Sequence, residues 1–305
     1  MSLIKIQDVA FVRFNAPDLD AMESFLLDFG LIRAARSDDT LHMRGTGPDP
    51  FLHVTRRGDP GFAGVAFKAA SLDDLETLAR AEGAAIEPLD APGGGYSVTL
   101  RDPDGFAIEI VAGRTPADEI ETAPTAPLNN GFDQPRRNAP KRIGSGPSRI
   151  KRLGHLVLGV TDFARTEEWY KTRFGLITSD EWPEGQPSRG AFLRCDRGTI
   201  PTDHHTIGIM GGGAARFGHA AFEVADFDDL MRGNAHLLAG NRRHDWGVGR
   251  HFLGSQIFDY WRDPWGHTVE HWTDGDLMTA DWGSRQVPTE IVRAVQWGDP
   301  LRLAP

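Results

Sequence analysis

A single cysteine, Cys195, stands among 305 residues. One thiol rules out a disulfide within the chain and fits a reducing compartment. Long apolar runs are missing too: none approaches the roughly 18 residues that a membrane-spanning helix needs. The opening stretch, MSLIKIQDVAFVRF, has neither the apolar core nor the small-residue cleavage site of a secretion signal. A cytoplasmic location is expected. Positive charge is in deficit, with 33 Lys and Arg against 43 Asp and Glu and a formal net charge of −10. That balance argues against nucleic acid or an anionic membrane as a partner. Charged residues make up 25% of the chain, an ordinary share for a globular protein. The length suffices for two domains with separate cores.

What the chain does have is repetition. Residues 18–31 (DLDAMESFLLDFGL) and 162–176 (DFARTEEWYKTRFGL) share one pattern: a capping aspartate, an amphipathic helix, then Phe-Gly-Leu. Asp is a good helix N-cap and the glycine a good helix stop. A strand and helix follow in each half, GVAFKAASLDDLETLARAEG at 64–83 and HAAFEVADFDDLMRGNAHLLAG at 219–240. Each half then closes on the same hairpin, TLRDPDGFAIEIV at 99–111 and YWRDPWGHTVEHW at 260–272. Three matched landmarks in one order indicate a duplication. The element order in each half is β-α-β-β-β, roughly twice, which is an α+β class with mostly antiparallel pairing. Residues 1–114 form the first domain and 151–275 the second. Between them, 115–150 reads as a linker with Pro116, Pro124, Pro127, Pro135, Pro140 and Pro147. The tail, 276–305, holds a short helical candidate at 288–295 between Trp282 and Trp297 and is expected to pack back on the body.

The duplication supplies an internal control, because one copy shows what the fold alone needs. In the second hairpin, Asp263-Pro264-Trp265-Gly266 has the chemistry of a type I turn followed by a glycine bulge. With Asp263 and His267 as the closing pair, Tyr260 falls opposite Glu270, and cross-strand partners share a face. Before this hairpin, WGVGRH reads as a glycine-rich loop ending in His251. Nine of the 11 histidines lie in the second half; the first has only His42 and His53. The first half keeps the carboxylate as Glu109. It has Phe11 or Ala10 where the second has His155, Gly64 where it has His219, and Thr99 where it has Tyr260. Two imidazoles and one carboxylate on three strands make the facial triad of non-haem Fe(II) oxygenases, and Mn(II) suits it too. Zinc hydrolases use similar ligands, usually in a tetrahedral arrangement.

These residues resemble the vicinal oxygen chelate superfamily and, within it, the type I extradiol catechol dioxygenases, over residues 4–275. The resemblance implies two tandem domains, each a duplicated βαβββ module forming a curved, mostly antiparallel sheet around a cavity, with metal only in the C-terminal one. It implies metal ligands at His155 in GHLVLGV, His219 in GHAAFEV and Glu270 in HTVEHW. It also implies catalytic roles for His205 in DHHTIGIM, His251 in GVGRH, and Tyr260, ten residues before the ligand glutamate. His205 is then the acid/base, while His251 and Tyr260 orient a substrate oxygen and assist its deprotonation. Trp246 and Arg250 join those three as substrate-binding candidates. Trp246 stands where some relatives carry an arginine, which favours a neutral or hydrophobic catechol. The implied activity is Fe(II)-dependent extradiol cleavage of a catechol by O2 to a ring-opened semialdehyde, in a homo-oligomer. A glyoxalase or isomerase of the same superfamily, and a non-catalytic aromatic-binding protein, are the alternatives.

Other features read as scaffold. His204 precedes His205, so on a shared strand it faces the other way and is structural. His271 likewise points away from Glu270 and packs or meets solvent. His236 and His244, on or just past a helix, are expected at the surface. Gly211-Gly212-Gly213 lacks the Lys-Ser/Thr of a phosphate loop and reads as a turn. Cys195 is a core thiol. Asp226 and Asp229 belong to a helix start, where carboxylates suit the dipole.

Overall fold

Two sheets carry the chain in the computed structural model, which describes residues 2–122, 126–183 and 189–300. Pro124 of the proline-rich segment and the last five tail residues, 301–305, lie outside the described residues. The first sheet contains β1 (Asp8–Ala16), β2 (Ile32–Arg36), β3 (Thr40–Arg44), β4 (His53–Arg57), β5 (Gly61–Lys68), β6 (Ile86–Pro88), β7 (Tyr96–Arg101) and β8 (Ala107–Ala112). Helices α1 (Leu19–Phe29) and α2 (Leu72–Glu82) lie between them in sequence. The second half repeats the plan with β9 (Ile150–Gly159), α3 (Phe163–Phe174), β10 (Leu176–Glu181), β11 (Gly190–Cys195), β12 (Thr202–Asp203) and β13 (Ile207–Met210). It continues through β14 (Arg216–Val224), α4 (Phe227–Ala239), β15 (Arg243–His251), β16 (Ile257–Arg262) and β17 (Thr268–Thr273). The tail adds β18 (Leu277–Met278), β19 (Arg285–Gln286), α5 (Thr289–Val292) and β20 (Val295–Trp297).

Strand order is β2-β3-β4-β1-β5-β8-β7-β6 in the first sheet and β19-β10-β11-β13-β9-β14-β17-β16-β15-β20 in the second. The two orders are the same, with a tail strand added at each edge of the second. Most neighbours pair antiparallel; β1 with β4, β5 with β8 and their counterparts pair parallel. The helix signals act as read. Asp18 accepts from the Asp20 and Ala21 amides, Asp162 from that of Arg165, and Gly30 and Gly175 end their helices at positive φ. In the second hairpin, the Gly266 amide donates to the Asp263 carbonyl at 3.0 Å, and Tyr260 faces Glu270 in register. Thr99 faces Glu109 in the first.

Three local expectations change. Residues 246–251 are not a loop but the end of β15, paired with β16 on one side and β20 on the other. Two register shifts bend this strand, and Gly247, at φ 125°, sits where it kinks. The tail helix is one turn rather than residues 288–295, because Val295 and Trp297 find ladder partners on His251 and Arg250. His236 and His244 are not simple surface residues: His236 Nε2 lies 3.2 Å from Asp28 on α1, and His244 Nε2 lies 2.8 Å from the buried Asp259. Cys195 is a core thiol, and burial pushes its pKa up to about 12. Among the described residues no helix is long and apolar enough to cross a membrane.

The two sheets are locked together by matched contacts. Phe29 at the end of α1 stacks on His271 with ring centroids 3.9 Å apart, and His271 Nε2 lies 2.6 Å from the Phe29 carbonyl oxygen. Asp104 in the first hairpin turn accepts from the Thr161 amide and hydroxyl just before α3, and the Tyr170 hydroxyl donates to Asp102 at 3.2 Å. Phe14 packs between His53, stacked at 5.0 Å, and Phe217 of the second half. Burial pushes the His53 pKa down from 6.5 to about 3. Its stabilising contribution is therefore complete above 6.5 and lost as pH falls below it, because only the unfolded chain takes up the proton. At about pH 5 the penalty is about 2 kcal/mol. Replacing His53 by Phe, which keeps the stack, is expected to narrow the gap between urea midpoints at about pH 7 and about pH 5 relative to the parent chain.

Candidate metal centre and active site

The site grows from the middle of the second sheet. β14 runs antiparallel to β9 and parallel to β17, with Ala221 in register with both His155 and Glu270. His219 is two residues before Ala221 and shares its face, so the pleat turns His155, His219 and Glu270 the same way. Their ligand atoms all lie within 4.8 Å of one another. The Glu270 Oε2 atom is 3.3 Å from His155 Nε2 and 3.2 Å from His219 Nε2, and the two Nε2 atoms are 3.4 Å apart. The glycine before each histidine has a packing reason. A Cβ at Gly154 would lie 2.5 Å from the Trp272 ring, and one at Gly218 would lie 2.8 Å from the Val157 carbonyl oxygen.

Glu270 is fully buried, and among the described residues neither of its oxygens has a hydrogen-bond partner. Burial pushes its pKa up, but the facing His155, His219 and His251 pull harder and hold it well below the ordinary carboxylate range. Burial pushes His155 down, so it is a neutral imidazole with a lone pair to give. The first sheet shows what such a carboxylate otherwise requires. There Arg13, opposite Gly64, forks onto Glu109, with Nη2 2.9 Å from Oε2 and Nε on Oε1. Gly64 and Phe11 stand in register where His219 and His155 stand in the second sheet. The arginine supplies in one module the positive charge that the other lacks. Two imidazole nitrogens and an unpartnered buried carboxylate therefore fit a divalent cation, with His155, His219 and Glu270 as the residues that would hold it.

A cavity of about 590 Å³ opens beside this cluster, and His205, Trp246, His251 and Tyr260 line it together with His155 and His219. His251 Nε2 is 2.9 Å from the Tyr260 hydroxyl and 3.8 Å from Glu270 Oε1. Burial, and then the Glu270 charge, push the Tyr260 phenol well above its usual value, so it keeps its proton. Burial, with His155 next, pushes His205 well below the ordinary histidine value. The Trp246 ring stacks on Tyr260 at 5.2 Å, and its Nε1 donates to the Asp299 carbonyl at 2.7 Å.

Arg250 is not brought to the cavity. Its guanidinium turns outward to the Asp274 carboxylate at 2.7 Å and the Ser255 carbonyl at 2.6 Å. His204 differs from the sequence reading as well. It sits with His205 in an irregular bend between β12 and β13, so strand alternation does not apply, and its Nδ1 lies 3.0 Å from His205 Nδ1. Sequence reasoning missed the tail's part in the site: Thr289, Glu290, Val292 and Arg293 close one side of the cavity. The tryptophans at 282 and 297 were the available signal.

With this geometry established, comparison places the protein. Residues 152–271 match the model of the Glyoxalase/Bleomycin resistance protein/Dioxygenase superfamily. Metapyrocatechase 2 of Cupriavidus necator is 27% identical over 297 residues, covering 96% of this chain and 89% of that protein. The manganese-dependent 2,3-dihydroxybiphenyl 1,2-dioxygenase of Geobacillus genomosp. 3 is 26% identical over 306 residues, covering 91% and 89%. The Mn(II)-bound glyoxalase from Novosphingobium aromaticivorans superposes with a TM-score of 0.80 at 23% identity, covering 98% of this chain and 93% of that one. Residues 152–271 thus carry a domain of the superfamily that this model describes, and the whole chain shares the fold of that glyoxalase. Over nearly its whole length the chain is similar to dioxygenases of the type I extradiol kind.

Two substitutions test the local physics. Gly154→Ala forces the Trp272 ring aside and is expected to cost about 1–3 kcal/mol, as overpacking does, and to lower bound metal per chain in an elemental assay. Arg13→Met leaves Glu109 buried without its partner, and a loss of about 3–5 kcal/mol in urea unfolding is expected.

Proposed function

We propose that the protein is an Fe(II)-dependent extradiol dioxygenase, for which Mn(II) is the alternative metal, that opens the ring of a catechol with O2 to give a semialdehyde. The observation that carries this reading is the meeting, in one cavity, of the His155–His219–Glu270 cluster with His205, His251 and Tyr260. The names of the two sequence relatives, both ring-cleavage enzymes by name or acting on a dihydroxylated aromatic, support it. The bound metal would supply positive charge that favours the catecholate and a centre at which catechol and O2 come together.

The chain's own residues do the rest. Tyr260 keeps its proton and so offers a hydrogen bond to a substrate oxygen. Its hydroxyl is in hydrogen-bond reach of His251 Nε2, which gives a catechol proton a route away from the ring. His205 lies on the other side of His155 and is positioned to hold or return a proton as the ring opens. Trp246, Phe192, Met210 and Leu253 make aromatic and apolar walls that exclude water and favour a neutral catechol. A homo-oligomer goes with this reading as an expectation from the family.

Anaerobic loading with Fe(II), followed by oxygen-electrode and absorbance traces with a panel of catechols, tests it. One O2 consumed per catechol, with a new yellow, pH-sensitive absorbance, is expected. His205→Phe should keep its iron and lose about 100-fold or more in turnover, the usual scale for an acid/base group. Iron bound at full stoichiometry with no oxygen uptake on any catechol would overturn the reading and favour a glyoxalase, an isomerase or an aromatic-binding protein.

A further inference from the structure

Behind His205 lies a chain of polar groups, buried as far as Asp180, that reaches the tail. Asp180 on β10 is fully buried; its Oδ2 is 2.7 Å from His204 Nε2. Arg285 on β19 holds the same carboxylate with two bonds, Nε to Oδ1 at 2.9 Å and Nη2 to Oδ2 at 3.1 Å. His204, fully buried, presents its Nδ1 to His205 Nδ1 at 3.0 Å. Its backbone is fixed as well, because the Ser179 hydroxyl donates to the His204 carbonyl at 2.5 Å and itself accepts from Arg194 at 2.9 Å.

The proton positions follow from what each group can do. An ionised carboxylate only accepts, so His204 Nε2 carries a proton and donates it to Asp180. Asp180 already pairs with the half-exposed Arg285, and an imidazolium at the fully buried His204 would carry a further charge out of water, which is expensive. With its proton on Nε2, His204 turns a bare Nδ1 toward His205. Two nitrogens 3.0 Å apart need one proton between them, and only His205 Nδ1 has it to give. The remaining His205 nitrogen, Nε2, is left bare on a ring that lines the cavity. Burial pushes the Asp180 pKa up, but the bonds from His204 and Arg285 prevail and hold it below the ordinary carboxylate value, in line with an ionised group at the end of the chain.

We propose that His204, braced by Asp180 and Arg285, is a positioning residue that fixes His205 in the Nδ1–H tautomer and so presents a bare Nε2 to the cavity. The functional weight of this rests on His205 being the acid/base of the proposed dioxygenase; the tautomer itself does not. Without the brace, a neutral His205 can take either tautomer, and one of them puts a hydrogen where a proton acceptor is needed.

Two independent readouts on the full-length chain decide it. In long-range proton–nitrogen NMR spectra of histidine-labelled, metal-free protein, the resonance that disappears in His205→Gln is expected to show the Nδ1–H pattern. In His204→Phe that pattern should give way to an Nε2–H form or a mixture. In His204→Asn, whose side-chain oxygen can stand near the lost Nδ1, it should persist in part. On the iron-loaded enzyme, His204→Phe and Asp180→Asn should lower kcat about 10–100-fold, the range for groups that orient an active imidazole, with KM and iron content nearly unchanged and His204→Asn partly restored. An Nε2–H pattern at His205 in the parent chain, or one unaltered by His204→Phe, overturns the proposal. If a variant is misfolded by circular dichroism, the parent spectrum alone still decides the tautomer. Absence of oxygen uptake in the parent chain would remove the dioxygenase reading and leave the NMR result standing by itself.

Discussion

A buried carboxylate with no hydrogen-bond partner among the described residues is the constraint on which the second half of this molecule depends. Glu270 is buried at the centre of the larger sheet, and a charge in that position requires an opposite charge close by. The first half meets the same requirement from within the chain, with Arg13 reaching across to pair with Glu109. The second half has exchanged that internal counter-charge for two imidazoles, whose nitrogens suit a dication without replacing it. One ancestral position has two electrostatic solutions, one sealed and one open to chemistry. The glycines before His155 and His219 belong to the same arrangement, since a side chain at either would move a ligand strand or the Trp272 ring.

Much of this was legible in residue order, because its causes are local. Turn chemistry at Asp263 and Gly266 fixed the hairpin register, and register put Tyr260 opposite Glu270. Repeated landmarks exposed the duplication, and the duplication drew attention to His155 and His219, which the structure brings together with Glu270. What escaped was set by distant partners. His204 was read by strand alternation, but residues 204–206 leave the strand, and its meaning lies in Asp180 and Arg285, far away in sequence. Arg250 looked close to the site by number, yet Asp274 and the Ser255 carbonyl draw it outward. Arg13 was passed over because attention stayed on Phe11, its neighbour but one, which stands in register with His155. The segment 246–251 read as a loop because glycine says little about pairing; β16 and β20 supply the ladders that make it a strand.

The halves are also coupled through groups that titrate or donate. Asp102 and Asp104 close the first hairpin turn and simultaneously hold Tyr170 and the start of α3. His271, one residue from Glu270, is clamped between the Phe29 ring and its carbonyl oxygen. The first half therefore acts as a platform against which the strand carrying Glu270 is set. Its contribution is mechanical, delivered through packing rather than through any group in the cavity.

The tail strands β19 and β20 flank the second sheet, and residues 289–293 wall the cavity. All of them follow Glu270 in sequence. On a chain emerging from the ribosome, the three ligand side chains are thus present before the wall that encloses them. The cluster lies on an open sheet until the later segment adds its strands to the edges. The cluster and its enclosure are thus separate parts of the polypeptide, and the order of the residues puts the enclosure last.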